Sequence, residues 1–161
     1  MDNIRSAHNV GSILRTADGL GVEKVILCGY TPYPKTIHDE RLPYLADKIN
    51  ARIAKTALGA QLSQKWEHKG NIYNAIEQLK TEGYGIVALE QSNNTIDLSS
   101  FKPEGNLVLV VGNEIDGINE KVLKLCDSVV EIEMKGKKES LNVSVATAIA
   151  LYYIQKHAIV N

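Results

Sequence analysis

The stretch Glu139–Ser140–Leu141–Asn142–Val143–Ser144–Val145–Ala146, with the apolar run that follows it to His157, constrains the fold more than any other part of the chain. Ser140 or Asn142 can cap a helix by accepting a hydrogen bond from an unpaired first-turn amide, and neither Gly nor Pro interrupts the sequence before His157. On a helical wheel Leu141, Val145, Ala148 and Tyr152 share one face, while Val143, Ala146, Ala150, Tyr153 and Ile154 fall on the other. A helix that is apolar all round must be covered on both sides. In a chain of 161 residues one side can face the chain's own sheet and the other a second copy of the protein, so the pattern predicts a homodimer. Ser140, Asn142 and Ser144 gather only at the first turn, where free N–H groups suit an anion or a polar ligand. Chemistry is expected there.

The rest of the chain alternates strands with helices. A helix beginning near Asn9 buries Val10, Ile13, Leu14 and Ala17 as one stripe and ends at Gly19 and Gly21. Arg15 then points away from the core, with Gly11 four residues earlier on its face. The pair reads either as bare backbone that lets a phosphate approach the guanidinium or as a solvated arginine beside a tolerated glycine. Lys24–Val25–Ile26–Leu27–Cys28 reads as a buried parallel strand. The loop after it, Gly29–Tyr30–Thr31–Pro32–Tyr33–Pro34–Lys35, mixes aromatic and basic residues with His38 and Arg41 beyond. It suits nucleic acid, or is an ordinary proline-rich loop. A weak helical pattern spans Leu45 to Leu58, and 61–66 reads as a short strand. Asn71 caps a helix with Ile72, Ile76 and Leu79 on its inner face and Gly83 at its end. Residues 85–90, 107–111 and 129–134 are the remaining strands, with a helix from about Asn119 to Leu125 before the last. This order implies an α/β fold whose mostly parallel sheet is flanked by helices.

Three loops, Glu90–Gln91–Ser92–Asn93, Gly112–Asn113–Glu114 and Lys135–Gly136–Lys137–Lys138–Glu139, fall at carboxyl ends of strands, where open α/β sheets hold ligands. They are expected to form one pocket. No G-x-G-x-x-G, G-x-x-x-x-G-K-[ST] or G-x-S-x-G motif occurs, which argues against hydride transfer, nucleotide hydrolysis and a serine nucleophile. A formal net charge of −1 argues against a general polyanion binder, so any nucleic-acid surface must be a local patch. Cys28 and Cys126 lie far apart without metal-spaced neighbours, so neither a metal site nor a disulfide is expected. No apolar stretch reaches the ~18 residues of a membrane span and no signal-peptide pattern is present, which predicts a cytoplasmic protein.

Three motifs stand in order: Asn9-x-Gly11-x-x-x-Arg15-Thr16, then Gly112-Asn113-Glu114 leading to Gly117, then Ser140-Leu141-Asn142-Val143-Ser144-Val145-Ala146. Together, over nearly the whole chain, they resemble the SpoU/TrmH family of RNA ribose 2′-O-methyltransferases. The resemblance implies a single methyltransferase domain over 1–161 with a carboxyl-terminal deep trefoil knot. It also implies S-adenosylmethionine (S-adenosyl-L-methionine) as cofactor, tRNA or rRNA as substrate, and a homodimer. It gives Arg15 the central role, held by Asn9 and Glu114 near Ser140 and Asn142, either as base or as the group that positions phosphate. For the cofactor it implies Gly112, Ile132 and Leu141, with Leu89 as a fourth. The chain departs from the family pattern twice. It has Met1–Asp2–Asn3 where the family has a hydrophobic strand, and Glu133 between Ile132 and Met134 where the family tends to have Pro. Two other readings stand beside this one: a catalytically silent RNA-binding dimer of the same fold, and a small-molecule α/β enzyme using another nucleotide.

Overall fold

Ser6, not Asn9, starts the first helix: in extended conformation it accepts the Asn9 N–H on its hydroxyl at 3.3 Å. Helix α1 therefore runs Ala7–Gly19, and its buried stripe of Val10, Ile13, Leu14 and Ala17 gains Ala7 and Gly11. The computed structural model of the protein describes residues 1–92 and 95–158. Gly11 faces inward, against helix α2 (Pro43–Ala57). A β-carbon there would overlap Ile53 O and Thr56 Oγ1. Gly11 thus lets two helix backbones approach and does not clear space for a phosphate, which corrects the first alternative drawn from its spacing to Arg15.

The strands are β1 (Val25–Cys28), β2 (Trp66–Lys69), β3 (Gly85–Leu89), β4 (Ile96–Asp97), β5 (Leu107–Val110) and β6 (Ser128–Glu131). All pair in parallel, in a two-stranded sheet β1-β2 and a four-stranded sheet β4-β6-β3-β5. Met1–Asn3 joins the two sheets: Asp2 N–H donates to Val111 O at 2.8 Å, and Cys28 N–H donates to Met1 O at 2.8 Å. The expected strand at 61–66 is corrected to helix α3 (Ala60–Ser63), with β2 following it. As an edge strand with one neighbour, β2 is Trp-Glu-His-Lys and carries no apolar run to betray it.

Helix α4 (Ile72–Thr81) begins at the Asn71 cap, whose side chain accepts Tyr73 N–H at 2.8 Å, and buries Ile72, Ala75 and Ile76. The short helix α5 (Glu120–Leu123) is capped by Asn119. Helix α6 (Val143–His157) is capped by Asn142, not Ser140. It packs against α1, burying Thr147 and Ala150, while Leu141, Val145, Ile149 and Tyr152 stay exposed. Its second apolar face is thus uncovered in the single chain. Among the described residues no helix is long and apolar enough to cross a membrane.

Candidate active site

A cavity of about 610 Å³ opens where the carboxyl ends of β3, β5 and β6 meet the start of α6. Leu89, Gly112, Ile132 and Leu141, the four positions expected for the cofactor, all line it, as do Glu114, Ser140 and Asn142. Glu90, Gln91 and Glu139 line it too, so each of the three expected loops contributes. Asn93 lies outside the described residues, and the basic run Lys135–Lys138 does not reach the wall. Parallel strands explain the convergence, because their carboxyl ends open on one side of the sheet.

At the mouth a chain of hydrogen bonds ties together segments far apart in sequence. Glu114 Oε1 accepts Asn9 Nδ2–H at 2.9 Å, and Asn9 Oδ1 accepts Asn142 Nδ2–H at 3.1 Å. A carboxylate can only accept, so Glu114 decides which end of the Asn9 amide faces it, and Asn9 in turn orients Asn142. Asn142 Oδ1 is left to cap α6, accepting Ser144 N–H at 2.9 Å and Ser144 Oγ–H at 2.6 Å. Glu114 also takes the N–H groups of Arg5 at 2.8 Å and Ser6 at 3.0 Å, so a negative charge sits at the amino terminus of α1. Partial burial pushes the Glu114 carboxyl up, but the hydrogen bonds from Arg5, Asn9 and Ser6 together hold it below the ordinary glutamate value.

Arg15 stands apart from this chain. It is exposed on α1, six residues beyond Asn9, which a helix converts to roughly 9 Å along the axis and well over a turn of rotation. Neither Asn9 nor Glu114 holds it, because both are engaged with each other and with the helix start. Within this single chain Arg15 makes no hydrogen bond to Asn9 or Glu114, and the residue is exposed.

Two residues that shape the site stood in the expected loops with no role assigned to them from sequence. Asn113 is buried and uses its whole amide: Nδ2 donates to Asn3 O at 2.9 Å and Tyr30 Oη at 2.6 Å, while Oδ1 accepts the N–H groups of Ile115 and Asp116. Glu90 accepts Ile118 N–H at 2.7 Å and packs so close to Gly117 that a side chain at that positive-φ position would strike its carboxylate. Their signal was position, since both stand at a strand end among the expected loops.

The chain resembles known proteins over almost all its length. It is 34% identical over 154 residues to a TrmH-family protein of Staphylococcus saprophyticus and 30% identical to one of Staphylococcus aureus, covering 96% of this chain and 56% of each relative. The chain thus spans little more than half of those relatives. Among solved structures, the A. aeolicus TrmH/SpoU tRNA modifying enzyme superposes with a TM-score of 0.79 at 28% identity, over 97% of this chain and 72% of that one. The SpoU methyltransferase AviRb of Streptomyces viridochromogenes, solved in complex with AdoMet, superposes with a TM-score of 0.77 at 25% identity, over 96% of this chain and 55% of that one. The family model for the SpoU rRNA Methylase family matches residues 1–152, and with the fold and the motif-bearing cavity in agreement, this chain belongs to that family.

Proposed function

We propose that the chain is the catalytic domain of an S-adenosylmethionine-dependent RNA ribose 2′-O-methyltransferase acting on tRNA or rRNA, working as a homodimer in the cytoplasm. The observation that carries this reading is the Glu114–Asn9–Asn142 chain set at the mouth of a cavity walled by Leu89, Ile132 and Leu141. The cavity fits the cofactor. Its volume lies within the roughly 300–1,000 Å³ usual for small-molecule sites, and its wall joins apolar side chains, for the adenine, to the polar Glu139–Asn142 rim. S-adenosylmethionine, when bound, supplies an electrophilic methyl group that a ribose oxygen can take.

This chain's own residues then have positioning work, since an in-line transfer gains most of its rate from the alignment of two bound groups. Gly112 offers backbone at the cavity wall, where a side chain would collide with Gly117 and Ile118. Asn142, oriented by Asn9, and Ser140 present polar groups at the rim to hold the 2′-hydroxyl. Arg15, exposed on α1, holds the substrate phosphate through its guanidinium. The reading includes a trefoil knot; what supports it is that the Gly112–Gly117 turn and the Glu139–Val143 segment line one cavity.

Transfer of labelled methyl from S-adenosylmethionine to total tRNA and rRNA, with mapping of the labelled nucleotide, tests the reading. Label on a ribose oxygen is expected. Label on a base would overturn the 2′-O assignment, and RNA retention without cofactor binding would support a catalytically silent dimer instead.

A further inference from the structure

We propose that Tyr30 stacks an unpaired base of the RNA beside the site, an inference that rests on the RNA methyltransferase reading. A surface tyrosine ordinarily buries its ring and keeps its hydroxyl in water. Tyr30 does the reverse. Its hydroxyl accepts Asn113 Nδ2–H at 2.6 Å, yet the residue is 62% exposed. What faces solvent is therefore the apolar ring, with its polar end turned inward.

Two anchors hold that ring in place. Besides the hydroxyl contact, Tyr30 N–H donates to Asn3 Oδ1 at 3.2 Å, and Asn113 binds the Asn3 carbonyl with its other amide hydrogen. Gly29, at φ 64°, has no room for a β-carbon beside the Asn3 side chain, so the backbone entering Tyr30 is locked as well. A ring held this way loses little freedom when a flat group lies on it.

Its position assigns the ligand. Asn113 immediately precedes Glu114, so Tyr30 is tied to the turn that orients Asn9 and Asn142. The same turn raises Ile115, 71% exposed, and Glu114 holds the backbone of exposed Arg5. An exposed aromatic face, an exposed aliphatic side chain and a cation together suit a single-stranded nucleotide, whose base stacks and whose phosphate pairs with the guanidinium. The base belongs to a nucleotide next to the one whose ribose reaches Asn142.

The test uses single-stranded RNA oligonucleotides carrying one 2-aminopurine, whose fluorescence is quenched when it stacks, with cofactor affinity followed in parallel by calorimetry. The wild-type protein is expected to bind and quench. Tyr30→Phe should bind within about threefold and still quench, whereas Tyr30→Ala should bind about 5- to 100-fold more weakly without quenching. Cofactor affinity should not move in either variant. Tyr30→Phe as weak as Tyr30→Ala would overturn the proposal, because only the hydroxyl anchor would then matter; undiminished binding by Tyr30→Ala would overturn it directly. Wild-type protein that binds and quenches but transfers no methyl would refute the enzymatic reading and leave the stacking site standing. Wild-type protein that binds no RNA would overturn both.

Discussion

Glu114 orders the start of α1 through charge, by accepting the N–H groups of Arg5 and Ser6 and the Asn9 amide. Its folded-state pKa lies below its unfolded value, so its contribution to stability is complete above the unfolded value and is lost as pH falls through the folded one. Lowering the pH from 6 to 3 should therefore reduce the melting temperature of the wild type more steeply than that of Glu114→Gln, which has nothing to titrate there. At neutral pH the glutamine variant should be less stable by about 1 kcal/mol, a figure kept small because the carboxylate is largely in water. Parallel slopes in a thermal-shift series would refute this role. Arg15 poses the opposite case, a charge whose neighbours are engaged elsewhere. If it serves only the RNA, Arg15→Ala should lower methyl transfer at least 100-fold while calorimetry finds cofactor affinity unchanged. Arg15→Lys should do nearly as badly, since an ammonium cannot make the two parallel hydrogen bonds of a guanidinium to phosphate. Loss of cofactor binding in either variant would place Arg15 in the cavity.

Between elements, α1 approaches α2 tightly at Gly11, reinforced by Thr56 Oγ1–H donating to His8 O at 2.8 Å. Gly11→Ala would ordinarily favour a helix by about 1 kcal/mol, but here the methyl meets backbone that cannot step aside. Overpacking should win, with a net loss of about 1–3 kcal/mol in denaturant unfolding. The uncovered face of α6 carries the next prediction. Ile149→Asp, at the centre of the exposed Leu141, Val145, Ile149 and Tyr152 row, should convert a dimer to a monomer in sedimentation at micromolar concentration. A wild-type monomer would remove its basis. That face was legible in sequence, because a helix apolar all round needs two covers. So were the Asn71 cap, the apolar strands and the three strand-end loops that converge on the cavity, since each follows from periodicity or capping chemistry. Gly11 was not, because a glycine's lack of a side chain looks the same whether helix or phosphate comes near. Nor were β2 and the two-residue β4, whose edge positions demand no apolar pattern. The Arg15 contacts came from the family resemblance rather than from any residue pattern, and in the single chain Asn9 and Glu114 bond each other.

The described residues form two separate parallel sheets. Among the described residues, β2 is the one strand paired with β1 and β3 the one strand paired with β5. Their facing edges are joined, among the described residues, only by Met1–Asn3. Beside that stitch lies a second cavity of about 500 Å³, lined by β1, β5, Ile13 and Ala17 of α1, and Ile76 and Leu79 of α4. Met1 N lies beside it, donating to Ile26 O at 2.9 Å. Four residues joined to the nitrogen of Met1 would run as a strand between β1 and β5. Four residues cost about 1–2 kcal/mol each to order. Three apolar side chains return about 2 kcal/mol each on burial, and new ladder hydrogen bonds about 1 kcal/mol each. The balance is a gain of a few kcal/mol, so an extension of Val-Ile-Val-Leu should raise the melting temperature by about 5 °C or more. Gly-Ser-Gly-Ser of the same length should not, because it brings ordering cost without apolar surface. Equal melting temperatures for the two extensions would mean that the cavity between β1 and β5 does not accept a strand.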